Sequence, residues 1–118
     1  ANLATIPGGI QAKLAATLLA LNRPKEALEA VLPPLSFHPK YVLLRLHEGK
    51  AQLALEQYAE AAIALQKAVE LNPFDREAHE HLLEAFTKLG DTAGVSREKE
   101  AIRILGHDEK AQDPGEKP

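Results

Sequence analysis

The sequence repeats with a period of 34 residues, and this period restricts the fold more than any other of its features. Pro39 and Pro73 are separated by this interval, and so are Leu21, Leu55 and Leu89. A fixed period of roughly 20 to 50 residues is typical of chains that stack similar small units on one another. Three copies of the unit fit into the 118 residues. The sequence therefore predicts an array of three similar units.

The composition of the units predicts helices. Apolar residues make up 45% of the chain but aromatic residues only 4%, so Ala, Leu, Val and Ile supply most of the apolar surface. Ala and Leu favour helices, whereas strands favour β-branched and aromatic residues. The residues Ile10, Leu14, Leu18 and Leu21 recur at helical spacing. Each unit is predicted to hold two helices, at residues 10–21 and 24–32, 40–55 and 58–71, and 76–89 and 92–105.

Three residues mark predicted helix boundaries. Pro24 suits the first position of a helix, where its missing N–H would have no partner in any case. Asp75 is placed as an N-cap, where its carboxylate accepts hydrogen bonds from the free N–H groups of the first turn. Gly90 is able to adopt the left-handed conformation that ends a helix. These residues support the helix pairs of the first and third units.

Two consecutive prolines interrupt the second helix of the first unit. Pro33 and Pro34 each remove a backbone donor and clash with the preceding turn, at a cost of about 3 kcal/mol or more in a continuous helix. We therefore expect this helix to stop near Leu32. An irregular turn would then return Leu35 and Phe37 to the core.

The residues inside the 34-residue unit are similar to those of the tetratricopeptide repeat family. In the middle copy the matching residues are Gly49, Tyr58, Ala61, Ala68 and Pro73. The third copy keeps Leu82, Phe86, Gly90 and Ile102 but has His107 for the closing proline, and the first has Ala15 and Pro24 for the glycine and the tyrosine. The resemblance implies an all-α fold, an α-solenoid of about three antiparallel hairpins in a right-handed superhelix. This domain would span residues 10–106, between an extended segment at 1–9 and a disordered charged tail at 107–118.

Three polar residues depart from the pattern of the family. Arg45, Glu48 and Gln52 occupy positions of the middle unit that are usually apolar. Either they form a polar seam whose hydrogen bonds are satisfied, or their helix is rotated or has an exposed flank. The sequence does not choose between these alternatives.

The resemblance also implies a concave groove lined by the first helix of each unit. The ligand-contacting positions of the family carry over to Lys13, Leu19, Leu43, Leu46, His47, Lys50, Leu53, Glu77, Glu80, His81 and Glu84. Such a groove would be apolar in the middle and acidic in the third unit. It would suit an amphipathic segment of another protein, with apolar anchors and a basic flank. On this interpretation Leu46→Glu abolishes binding and leaves the helices intact; alternatively, residues 1–7 or a neighbouring repeat cover the leucines.

Several other classes of function find no support in the sequence. A net charge of −3 provides no basic face for nucleic acid, and no apolar stretch approaches the roughly 18 residues that span a bilayer. Cysteine is absent, and His79 and His81 point to different sides of a helix, so we expect no metal and no cofactor. The sequence contains no phosphate-binding loop and no serine nucleophile with an orienting histidine. We therefore expect that the chain is not an enzyme.

The sequence thus favours a scaffold that binds a protein or a peptide. A carboxylate clamp of the kind found in some tetratricopeptide co-chaperones is disfavoured, because its positions hold Ala12, Ala16, His47, Glu77 and His81. Two alternatives remain open at this point. The array could be the non-catalytic appendage of a larger enzyme, co-chaperone or assembly factor, or it could self-associate through the groove as a structural homo-oligomer.

Overall fold

The structure, a computed structural model, describes residues 8–112, and these residues form six α-helices and no strand. The helices are α1 (Gly9–Ala20), α2 (Pro24–Phe37), α3 (Val42–Ala54), α4 (Tyr58–Leu71), α5 (Arg76–Leu89) and α6 (Thr92–Gln112). Each helix packs against the next, and α3 also contacts α1 on one side and α5 on the other. The predicted all-α solenoid of three helical hairpins is confirmed.

The predicted boundary residues act as expected. Pro24 is the first residue of α2. The Asp75 carboxylate accepts hydrogen bonds from the backbone N–H groups of Glu77, at 3.1 Å, and Ala78, at 3.4 Å. Gly90 follows α5 in the left-handed conformation, with φ of 74°. Because of these local interactions, α2 begins and α5 begins and ends at the residues that the sequence predicted.

The predicted end of α2 is wrong, because the helix continues through Pro33 and Pro34 to Phe37. Val31 and Leu35 are one turn apart and both are buried, so continuing the helix extends its packing face. Hydrogen bonds from the Ser36 hydroxyl to the Pro33 carbonyl (2.6 Å) and from the His38 N–H to the Pro34 carbonyl (2.9 Å) support its last turn. Leu35 reaches the core as predicted, but Phe37 does not, since it is 79% exposed.

The core consists of two clusters of small and branched side chains. One joins the first hairpin to α3 and includes Ala15 and Leu44. The other joins α3 and α4 to α5 and includes Leu65 and Leu82. At Gly49 the backbone of α3 lies so close to α4 that a β-carbon would be 2.6 Å from Leu65 Cδ2. The glycine that matches the repeat family therefore lies where two helices cross closely.

The polar seam on α3 is satisfied in part. Arg45 Nη1 lies 3.1 Å from Glu48 Oε1, and Arg45 Nε donates a hydrogen bond to the Pro39 carbonyl at 2.8 Å. Both side chains of this ion pair are largely buried. Gln52 is also buried, but its Oε1 has no hydrogen-bond partner in the part of the chain that the structure describes. The alternative of a polar seam with satisfied hydrogen bonds therefore holds for Arg45 and Glu48 but not for Gln52.

A buried polar pair joins the last two helices. His79 Nδ1 lies 2.6 Å from Glu98 Oε1, and His79 Nε2 donates a hydrogen bond to the Pro73 carbonyl at 2.7 Å. Both side chains are at least nine-tenths buried. Because the Pro73 carbonyl can only accept, the Nε2 atom of the ring is the donor in this hydrogen bond. This pair links α5 to α6 and to the loop that precedes α5.

The last helix extends beyond its predicted end at residue 105. It runs to Gln112, and therefore into the stretch 107–118 that we expected to be a disordered tail. The remaining tail residues and the segment 1–7 lie outside the described residues, so the division of the chain into three parts stays a prediction. Among residues 8–112, no helix is both long and apolar enough to cross a membrane.

Candidate partner-binding groove

The first helices of the three hairpins, α1, α3 and α5, meet at an open depression of about 290 Å³. We call this depression the groove and define it by its lining residues, which are Leu19 of α1, Lys50, Leu53 and Ala54 of α3, and His81 and Glu84 of α5. Five of these six residues belong to the set carried over from the repeat family. The sixth, Ala54, also occupies a ligand-contacting position of the family, and it is exposed at the end of α3.

The leucines of α3 do not form the exposed apolar strip that the sequence analysis expected. Leu46 is only 4% exposed and Leu53 only 8% exposed, and both belong to the cluster that packs α3 against α4 and α5. Leu53 nevertheless contributes to the wall of the groove. Leu43 is 47% exposed but does not line the depression. The expectation for Leu46 was wrong because the helical spacing gives the direction of a side chain but not the position of the neighbouring hairpin.

The acidic end of the groove is largely neutralised. Glu77 Oε2 accepts a hydrogen bond from Lys50 Nζ at 2.9 Å and lies 3.4 Å from His81 Nε2. The hydrogen bond from Lys50 is the main cause that lowers the pKa of Glu77 below its ordinary value. Glu80 is paired with Arg76, whose Nε lies 3.0 Å from Glu80 Oε2. Within the described residues, Glu84 alone of these three glutamates has no ion pair.

His47 lies about one turn before Lys50 on α3 and is largely buried. Its Nδ1 atom has no hydrogen-bond partner among residues 8–106. Burial lowers the pKa of His47 below its ordinary value, the charge of Lys50 lowers it further, and Glu77 opposes the shift. The neutral ring is therefore favoured in the folded protein.

The shift at His47 predicts a stability that falls on acidification. Because the unfolded chain binds a proton on His47 more readily than the folded chain, stability is lost as the pH falls through the ordinary range of histidine, near 6.5. We expect a lower free energy of unfolding at pH 5.5 than at pH 7.5, measured by urea denaturation. In His47→Gln this difference should be smaller, because the variant lacks the group whose pKa is shifted. An equal or larger difference in the variant would contradict the assignment.

The remaining predicted groove residues are dispersed. Lys13 is exposed on α1 and does not reach the depression. His47 and His81 occupy equivalent positions 34 residues apart. The carboxylate near them, that of Glu77, is bound by Lys50. No group of three or more His, Asp or Glu residues within the described range is arranged to hold a metal ion. The groove thus consists of an open depression with an apolar wall and one unpaired carboxylate.

Three solved structures are similar to this chain over most of its length. The second tetratricopeptide repeat domain of Spaghetti (RPAP3), bound to the HSP90 peptide SRMEEVD, has a TM-score of 0.79 and 18% identity, over 85% of this chain and 93% of that one. A double mutant of MamA RS-1 has a TM-score of 0.79 and 22% identity, over 86% and 57% of the two chains. MamA from Desulfovibrio magneticus RS-1, starting at residue 41, has a TM-score of 0.76 and 25% identity, over 87% and 56%. No family model and no curated protein matches the chain.

These similarities establish the class of fold. The chain is a helical-repeat protein with a tetratricopeptide-type fold, as its 34-residue period and its three hairpins indicated. It spans nearly the whole of the RPAP3 domain but just over half of each MamA chain.

Proposed function

We propose that the chain is a non-catalytic protein-interaction module and that the groove binds a peptide segment of another protein. The observation that carries this proposal is the depression in which α1, α3 and α5 meet, with apolar Leu19, Leu53 and Ala54 beside the unpaired Glu84. The RPAP3 domain of similar fold was solved with a peptide bound, which is consistent with such a role.

The chemistry of the groove favours a particular kind of segment. An apolar side chain would fill the depression, and a Lys or Arg next to it would pair with Glu84. Lys50, the cation among the groove residues, is already bound to Glu77. An acidic segment would therefore have to break an existing ion pair and approach an unpaired carboxylate. We infer that the partner is apolar and basic at this site.

A selection from a displayed library of random peptides tests this proposal. We expect the selected peptides to share an apolar residue followed or preceded by a basic one. Glu84→Lys should weaken their binding at least about tenfold, because it removes one charge-assisted hydrogen bond and places a like charge beside the basic residue. Ala54→Glu should weaken it as well, since Ala54 lines the depression and is exposed. Isothermal titration calorimetry measures both effects.

Ile63→Glu is the matched control, because Ile63 is exposed on α4 and does not line the groove. It should bind the selected peptides as the unaltered chain does. Peptides that are predominantly acidic, or that bind equally well to Glu84→Lys and Ala54→Glu, would rule out this mode of binding.

A further inference from the structure

The groove places a cation and an anion at equivalent positions of successive hairpins. Lys50 of α3 and Glu84 of α5 are 34 residues apart in the sequence, and both line the depression. The corresponding residue of α1 is Ala16, which carries no charge. If both charged side chains were free, their opposite charges would cancel. The groove would then have little preference between a basic and an acidic segment.

A third residue takes one of these two charges out of the balance. Glu77 does not line the depression, but its Oε2 atom accepts a hydrogen bond from Lys50 Nζ at 2.9 Å. His81 Nε2 lies 3.4 Å from the same oxygen. Because the hydrogen bond from Lys50 lowers the pKa of Glu77, this carboxylate is ionised at neutral pH. The charge of Lys50 is therefore compensated before any segment binds.

Glu84 is the carboxylate of the groove that stays available. Lys88 follows it by four residues, a spacing at which ion pairs form along a helix. The ammonium group of Lys88 lies instead over the ring of Tyr58 on α4, 6.0 Å from the ring centroid. Lys50, which lines the same depression, is paired with Glu77 rather than with Glu84. Two nearby cations are thus directed away from Glu84.

We propose that Glu77 is a specificity-determining residue of the groove, because by holding Lys50 it leaves the charge of Glu84 uncompensated and so selects basic segments. This inference rests on the proposed function of the groove. Glu77 acts through Lys50 and is therefore a positioning residue, which needs no contact with the bound segment. The Lys50–Glu77 pair is partly exposed, and such pairs contribute little to stability. We therefore expect the pair to affect the charge of the groove more than the folding of the chain.

The test compares two synthetic peptides that differ in one residue. Both contain the apolar residue shared by the selected peptides, which is flanked by Lys in one peptide and by Glu in the other. Isothermal titration calorimetry at pH 7.5 gives both dissociation constants, and their ratio measures the charge preference. A loss of affinity that a variant imposes on both peptides cancels in this ratio. We expect the unaltered chain to favour the Lys peptide about tenfold.

Glu77→Gln should bring the ratio to about one, because the released Lys50 then opposes Glu84. Adding Lys50→Gln to this variant should restore the preference for the Lys peptide, because the released cation is gone and Glu84 remains. A purely structural role of Glu77 would not be rescued by the second substitution. Glu100→Gln is the matched control, since it removes the same charge and releases Arg103 on α6, and neither residue lines the groove. It should keep the preference of the unaltered chain.

The possible results separate this inference from the function on which it rests. If neither peptide binds the unaltered chain, or if both bind it equally, the proposed binding mode fails and this inference fails with it. If the unaltered chain and Glu77→Gln favour the Lys peptide equally, the groove binds as proposed but Glu77 does not set its specificity. The inference alone is also overturned if Glu100→Gln loses the preference, or if the double variant does not regain it.

Discussion

Leu46→Glu is expected to unfold the middle of the array. The Leu46 side chain is 4% exposed and packs in the cluster that joins α3 to α4 and α5. The substitution removes apolar burial and introduces a carboxylate that has no partner there, which together cost on the order of 3 kcal/mol or more. This is a large part of the roughly 5 to 15 kcal/mol that keeps a domain folded. Thermal denaturation followed by circular dichroism should show a large loss of stability.

Leu43→Glu is the matched control for this prediction. It introduces the same charge into the same helix, but Leu43 is 47% exposed and the new carboxylate would remain in water. We expect its melting curve to resemble that of the unaltered chain. If Leu46→Glu melted like Leu43→Glu, Leu46 would face the solvent and the packing of α3 described above would be incorrect.

Glu98→Ala is expected to destabilise the last hairpin by about 3 kcal/mol, the usual cost of removing one partner of a buried polar pair. The substitution leaves His79 Nδ1 buried without its partner at 2.6 Å and opens a gap between α5 and α6. The urea midpoint should fall accordingly, with little change in the slope of the transition. Glu98→Gln should retain part of the stability, because its amide N–H is able to donate a hydrogen bond to Nδ1 of the ring, whose Nε2 donates to the Pro73 carbonyl.

Glu100→Ala provides the comparison, since Glu100 lies two residues away on α6 and pairs with Arg103 on the surface. Exposed pairs contribute little to stability, so its urea midpoint should not change measurably. Equal midpoints for Glu98→Ala and the unaltered chain would show that His79 and Glu98 do not hold α6 in place.

The fold could be predicted from the sequence because its signals are local and repeated. The 34-residue interval, the N-cap at Asp75 and the left-handed Gly90 each depend on neighbouring residues alone. The end of α2 could not be predicted in this way. The unfavourable effect of Pro33 and Pro34 is local, whereas the burial of Leu35 that favours a continuous helix depends on α3.

The groove was predicted less completely, because its properties depend on pairs that are distant in sequence. Lys50 and Glu77 are 27 residues apart, and their ion pair neutralises part of the acidic character that the sequence of α5 indicated. His79 and Glu98 are 19 residues apart. A signal for Glu98 was present, since it lies four residues from both Gly94 and Ile102 on the packing side of α6. Of this pair, the sequence indicated only that His79 lies on a different side of α5 from His81, the histidine that lines the groove.

The glycine at the crossing of α3 and α4 also bears on what the groove admits. The missing side chain at Gly49 keeps the inner layer of helices close to the outer layer, so the wall of the array is thin at its middle hairpin. The radius of a solenoid follows from the small rotation between successive hairpins. A thicker wall at this point would change the angle at which α5 follows α3, and with it the diameter of the segment that fits between α1 and α5. If the groove binds a segment as proposed, Gly49 influences the size of that segment although it is buried and does not line the groove.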